Sequence, residues 1–193
     1  RLQYTQEAYA AGKYAFVSDV ARIEALYQYG GFYMDTDVEV LKSFNPLLEA
    51  QCILGMEEKE YVATSFMAFE KGHPLVKEFL NLYEHLSFLD EKGKIIAGTN
   101  VAKLTKMLKE KGFVQENHYQ KLENGIQIYP KEFFSPYDYI NCHYNITENS
   151  YCVHHFAVSW MSKKEQVKKG IKKRIVKILG PEKMNGIREK LKR

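Results

Sequence analysis

Gly30-Gly31-Phe32-Tyr33-Met34-Asp35-Thr36-Asp37 is the stretch that decides how this chain is read. Three apolar residues, Phe32 to Met34, run straight into two carboxylates one residue apart. The apolar residues favour burial, whereas Asp35 and Asp37 cannot be buried without partners. Two like charges this close repel, and one carboxyl tends to keep its proton. A divalent cation relieves both problems. Hard carboxylate oxygens suit Mg²⁺ or Mn²⁺, with water or substrate phosphate completing the coordination. The end of such a strand is where ligands bind in open α/β sheets.

An isolated Asp-x-Asp usually marks no more than a solvated turn. Two other chemistries with this spacing fail on the neighbouring residues. A calcium-binding EF-hand loop needs Gly at its sixth position and further oxygen ligands; Val40 stands there, and Val38 to Leu41 is largely apolar. An aspartyl-nucleophile phosphatase wants Ser or Thr two residues on, where this chain has Glu39, and no later Lys and acidic pair is evident.

The flanks raise the signal. Ser18-Asp19-Val20-Ala21-Arg22-Ile23-Glu24-Ala25-Leu26-Tyr27-Gln28-Tyr29 leads into the glycines, and Val38-Glu39-Val40-Leu41 follows the carboxylates. Far along the chain stands Tyr151-Cys152-Val153-His154-His155-Phe156-Ala157-Val158-Ser159-Trp160. These segments resemble the glycosyltransferases with a DXD sugar-binding region. That group includes bacterial capsule and lipopolysaccharide transferases and yeast mannosyltransferases, and it is similar to the glucosyltransferase domains of large clostridial toxins. The resemblance runs from about Tyr9 to Met161. It implies the α/β nucleotide-sugar-binding fold called GT-A. Such enzymes usually open on an Ile-Pro-Lys-Ile-Ile-His-like strand and its helix. This chain starts at the following helix, so the expectation is a GT-A-like domain without its first βα unit.

Periodicity and turn residues give the same class. Gln6 to Ala11 reads as helix, and Ser18 or Asp19 can cap a helix running to Tyr29, with Gly30 as its terminator. Phe32 to Met34 and Val38 to Leu41 read as strands around the acidic turn, followed by Cys52 to Met56 and Tyr61 to Phe69. Pro74 opens a helix to about Leu89, and another runs from Asn100 to about Lys109. Ile126 to Tyr129 and Tyr151 to His154 complete the strands. Mixed helices and strands point to an α/β sheet domain.

With 193 residues, 45% of them hydrophobic, one domain can bury a proper core. No run approaches the roughly 18 apolar residues of a membrane span. Cys52, Cys142 and Cys152 form no CxxC pair, so reduced, buried thiols of a cytoplasmic protein are the simplest account. Asn145-Ile146-Thr147 is a glycosylation sequon. The net charge of +4 hides a division: residues 163–193 carry 13 Lys and Arg against three Glu, a net +10, which leaves −6 on residues 1–162. Val167, Ile171, Ile175, Ile178 and Leu179 recur at helical spacing among those lysines. The expected organisation is therefore a catalytic domain over 1–162 and a basic amphipathic helical tail over 163–193. The tail suits an anionic membrane surface, or packing on the acidic body. It lacks the interleaved aromatics of a nucleic-acid site.

The resemblance also implies roles. Asp37 would ligate Mn²⁺ or Mg²⁺ directly, and Asp35 would reach the metal through water while holding donor hydroxyls. Asp19 and Arg22, three apart on one helix face, would hold the donor sugar, with Arg22 near the phosphates. Tyr33 and Thr36 flank them. Neighbouring strand residues point opposite ways, so only one of His154 and His155 can reach the metal, and alignment with single-histidine relatives makes His154 the preferred further ligand. Ser159 would be a ligand or phosphate contact, and Trp160 would close over the diphosphate. Asn100 lies where a helix N-terminus could meet sugar or acceptor, although Thr99 or Asn100 as a plain cap is the simpler account. The implied activity is metal-dependent, retaining, front-face transfer from a UDP- or GDP-sugar to a glycan or lipid-linked acceptor. Its setting would be capsule or other surface polysaccharide synthesis at the inner membrane face. The alternative is a non-catalytic, membrane-associated sugar-nucleotide-binding protein.

Overall fold

The computed structural model describes residues 2–58, 60–138, 141–157, 170, 171, 174, 176 and 180. Helices α1 (Gln3–Ala10) and α2 (Tyr14–Tyr29) lead into strand β1 (Gly31–Met34), and β2 (Val38–Val40) follows the acidic turn. After a 3-10 turn come β3 (Cys52–Glu58), β4 (Tyr61–Val62) and β5 (Phe66–Phe69), then helices α3 (Pro74–Glu84) and α4 (Asn100–Glu110). The chain continues as β6 (Gln120–Lys121), β7 (Ile126–Tyr129), the short helix α5 (Lys131–Phe134), β8 (Tyr137–Asp138), β9 (His143–Tyr144) and β10 (Cys152–His154).

The main sheet runs β1-β5-β3-β7-β6, with β4 also paired to β3. Among the described residues only β3 and β7 pair in parallel; the other pairings of this sheet are antiparallel. Two small ribbons stand apart, β10 on β2 and β9 on β8.

Alternation along the strands divides the core in two. Cys52, Leu54 and Met56 of β3, Met67 and Phe69 of β5 and Ile126 and Ile128 of β7 face the helices α1 to α4. Ile53, Phe66 and Ala68 face the other way, toward Phe134 of α5, Cys152 of β10 and Leu47. Phe66 and Phe134 stack with centroids 4.0 Å apart. Gly55 permits this approach, because a Cβ there would lie 2.7 Å from the Phe134 ring. Gly30 ends α2 at a φ of 69°, where a side chain would strike the Lys71 backbone at 2.7 Å. The turn into β1 therefore requires glycine.

Helix boundaries and one thiol depart from the sequence expectation. Helix α2 begins at Tyr14, so Ser18 and Asp19 lie inside it and do not cap it. Ser18 Oγ bonds back to the Ala15 carbonyl instead, and the added turn packs Phe16 and Val17 on the core. Helix α3 stops at Glu84 because Glu7 Oε2 captures the Phe88 and Leu89 N–H groups, at 2.8 and 3.1 Å. Cys142 is half-buried, whereas Cys52 and Cys152 are buried as expected; none of the three is in a disulfide. The expected tail lies almost wholly outside the described residues. Among the described residues no helix is long and apolar enough to cross a membrane.

Candidate functional site

Asp35 follows the last residue of β1. Its N–H donates to the Ser65 carbonyl at 2.9 Å, and its own carbonyl accepts from Val38 N–H at 3.0 Å. These bonds close a tight turn that carries Thr36, exposed, and Asp37, half-buried.

Arg22 reaches the same point from α2. Its guanidinium lies 3.0 Å from Asp35 Oδ1 and 3.1 Å from Asp19 Oδ1. It also donates to the Thr64 carbonyl at 2.8 Å and to the Ser18 carbonyl at 3.3 Å. The Arg22 guanidinium carbon stands 4.8 Å from the Tyr33 ring centroid, and Tyr33 Oη donates to Asp35 Oδ1 at 2.7 Å. A cation only 8% exposed needs such company, because an unpaired buried charge is strongly destabilising. Burial pushes the Asp19 carboxyl up to about 6, against the pull of Arg22, with Asp35 raising it further. Burial also raises the Tyr33 hydroxyl well above its ordinary range.

The other half of the site comes from the β2–β10 ribbon, in which His154 pairs with Val38. His154 Nε2 lies 3.2 Å from Asp37 Oδ1. Burial lowers the His154 pKa, with Asp37 opposing, which favours the neutral imidazole. His155 turns to the opposite side. Its Nε2 meets Glu39 Oε2 at 2.9 Å and its Nδ1 meets Tyr144 Oη at 2.8 Å.

Ligand atoms of Asp35, Asp37 and His154 all lie within 4.8 Å of one another. Two carboxylates and one neutral imidazole make a mixed oxygen and nitrogen set that suits a divalent first-row cation. Among the described residues the buried His154 Nδ1 has no hydrogen-bond partner. Buried ring nitrogens normally have one, and in ligating histidines a water is a common choice. The residues present therefore fit a divalent metal ion.

Asn100 is buried beside this group. Its Oδ1 accepts from Tyr83 Oη at 2.9 Å and its Nδ2 donates to the Asp19 carbonyl at 3.5 Å. Thr99 provides the cap of α4, accepting from Ala102 N–H at 3.2 Å. The structure thus brings Asp19, Arg22, Tyr33, Asp35, Asp37, Asn100 and His154 into one neighbourhood. Ser159 and Trp160 lie outside the described residues. Sequence reasoning missed Thr64, Ser65 and Ala157, which act through backbone groups that leave no trace in residue type. It also missed the bond between His155 and Glu39, although the position of Glu39 two residues after Asp37 is visible in the sequence.

Comparison with known proteins agrees with this geometry. Residues 3–54 match the family described as "Glycosyltransferase sugar-binding region containing DXD motif". Lactosylceramide 4-alpha-galactosyltransferase of Mus musculus is 32% identical over 125 residues, covering 65% of this chain and 33% of that protein. Inositol phosphoceramide mannosyltransferase 3 of Schizosaccharomyces pombe is 31% identical over 71 residues, covering 37% of this chain and 20% of that protein. The chain thus spans about a third of the mouse relative's length. No solved structure matches it. Both of these relatives are named as transferases.

Proposed function

We propose that this chain carries the donor site of a metal-dependent glycosyltransferase that moves a sugar from a nucleotide sugar to a lipid-linked or glycan acceptor. The observation that carries the reading is the Asp35, Asp37 and His154 cluster, assembled from two separate sheets within 4.8 Å. A divalent cation bound there supplies Lewis-acid stabilisation of the charge that gathers on a leaving diphosphate.

The chain's own residues do the rest. Asp37 and His154 would hold the ion directly, and Asp35 would reach it through water from the end of β1, its carboxylate fixed by Tyr33 and Arg22. Neutral imidazole is the ligating form, so the burial that lowers the His154 pKa favours binding. Asp19 accepts donor-sugar hydroxyls, and Arg22 presents its fork toward the phosphates. Asn100 braces Asp19 from α4. Ser159 and Trp160 complete the diphosphate side. A UDP- or GDP-sugar is the donor class.

The family resemblance implies retention, and front-face transfer assisted by the leaving phosphate is the route to it that needs no covalent nucleophile. The two relatives are named for lactosylceramide and inositol phosphoceramide, which favours a lipid-linked acceptor over a soluble glycan. Surface-polysaccharide assembly is the setting. The basic segment 163–193 would hold the acidic body at an anionic membrane.

The test is hydrolysis and transfer with a panel of UDP- and GDP-sugars, with and without Mn²⁺. Donor turnover that needs Mn²⁺ and disappears in Asp37→Asn is the expected result. Binding of a nucleotide sugar with no turnover toward water or any glycolipid acceptor would sink the enzymatic reading.

A further inference from the structure

We infer that the turn through Phe156 and Ala157 is a positioning element for the cation site: its left-handed backbone aims an N–H at Asp37 and so fixes how that carboxylate is presented. This rests on the metal reading above.

Phe156 has a φ of 50°. Glycine enters that region freely, and a bulky residue does so only under constraint. Such a conformation persists where the surroundings over-determine it, and it tends to cluster at functional sites. Here the constraints come from the site itself. His155 N–H donates to the Asp37 carbonyl at 3.0 Å. Ala157 N–H donates to Asp37 Oδ2 at 2.8 Å. Asp37 thus grips the turn on both sides of Phe156, once through its backbone and once through its side chain. The Phe156 ring lies 4.0 Å from the His154 ring and 5.8 Å from that of Tyr137, centroid to centroid.

The consequence falls on the carboxylate. A charge-assisted bond from a backbone N–H sets its orientation. With Oδ2 held by Ala157, Oδ1 is the oxygen turned toward His154 Nε2, at 3.2 Å. Moving Phe156 to negative φ rotates the following peptide plane and takes the Ala157 N–H away from Asp37. Asp37 would then lose the partner that holds it in register with Asp35 and His154. Partners of this kind around metal ligands are worth tenfold or more in affinity.

The test compares two substitutions at one position in the full chain. Phe156→Gly keeps the left-handed turn and removes the ring. Phe156→Val retains more apolar bulk, but a β-branched residue is excluded from that region. Mn²⁺ alone is the probe, read by the electron paramagnetic resonance signal of the free ion and by the rise in Tm on adding it. Circular dichroism without metal checks that both variants fold. The expected result is binding within about threefold of wild type for Phe156→Gly and at least about tenfold weaker binding for Phe156→Val. If the ring acted by packing on His154, the order would reverse, and that outcome overturns the inference. Equal affinities in the two variants, strong or weak, overturn it as well. Wild-type protein that binds no more Mn²⁺ than Asp37→Asn overturns the cation site beneath it, a different failure from an intact site indifferent to residue 156.

Discussion

Arg22 Nη1 lies 3.0 Å from Asp35 Oδ1, so one guanidinium joins the middle of α2 to the end of β1. The same fork touches Asp19 and the Thr64 carbonyl. Structural and ligand-binding roles of this residue are therefore not separable. A lysine keeps the charge but cannot reproduce a planar fork with several partners. Arg22→Lys should cost stability on the order of 2–4 kcal/mol, because it takes the planar fork away from the half-buried Asp19 and Asp35 carboxylates and the Thr64 carbonyl. Urea unfolding of the two proteins measures this. A change under about 0.5 kcal/mol, the range of an exposed pair, would be incompatible with the buried fork.

Asp37→Asn should abolish metal-dependent donor turnover, since the ion loses a charged ligand. In chelator the fold should hold, because removing one of two close carboxylates relieves repulsion and the amide oxygen can still accept the Ala157 N–H. Full turnover in this variant, or turnover of the wild type in chelator, ends the metal mechanism.

The raised Asp19 carboxyl makes stability depend on pH in an unusual direction. Its folded-state pKa is about 6, against roughly 4 in an unfolded chain. Between these values the folded protein holds more protons than the unfolded one. Stability therefore falls as pH rises through that window and levels off above it. Asp19→Asn removes the effect and should raise stability at pH 7.5 by about 1–3 kcal/mol, with little gain at pH 4. Thermal melts of both proteins in chelator, at the two pH values, are the check. An equal gain at both would mean the carboxyl is not desolvated as the geometry requires.

Residues 163–193 should bind anionic vesicles, with each basic residue near the surface contributing on the order of 1 kcal/mol. Salt should weaken the association by screening. Flotation with phosphatidylserine-containing and neutral liposomes, with and without the segment, reads this directly. Equal flotation of both forms removes membrane docking. A loss of Tm on truncation with no lipid effect would place the segment against the acidic body.

Much of the site could be read in advance because it is written in charge and spacing. Asp35 and Asp37 follow three apolar residues, and Asp19 and Arg22 stand one helical turn apart. Strand alternation says only that one of His154 and His155 can face the site, and the two do face opposite sides; which one does so is legible only through the family resemblance. Helices α3 and α4 were visible because Pro74 and Thr99 mark their starts and their apolar faces are regular. The start of α2 was not, because Ser18 resembles a cap and only the packing of Phe16 and Val17 extends the helix upstream. The end of α3 depends on Glu7, about 80 residues away in sequence, so no local signal could set it. The two-residue strands β6, β8 and β9 and the single-turn α5 are too short to have a period. They exist because tertiary contacts, such as Phe134 on Phe66, hold them.

The cation site spans a seam. Asp35 ends a strand of the main sheet, whereas Asp37 enters and His154 belongs to the β2–β10 ribbon. An ion held by all three would fasten the ribbon to the sheet and bind only the docked arrangement. By mass action, such a ligand suppresses undocking in proportion to its occupancy. Amide exchange at Leu41 and His155, whose N–H groups donate across the ribbon to the Tyr151 and Asp37 carbonyls, should then slow as Mn²⁺ is added, while exchange in β3 and β7 stays as it was. The ribbon would report on the metal before any sugar arrived, as a hasp shows whether a lock is in place.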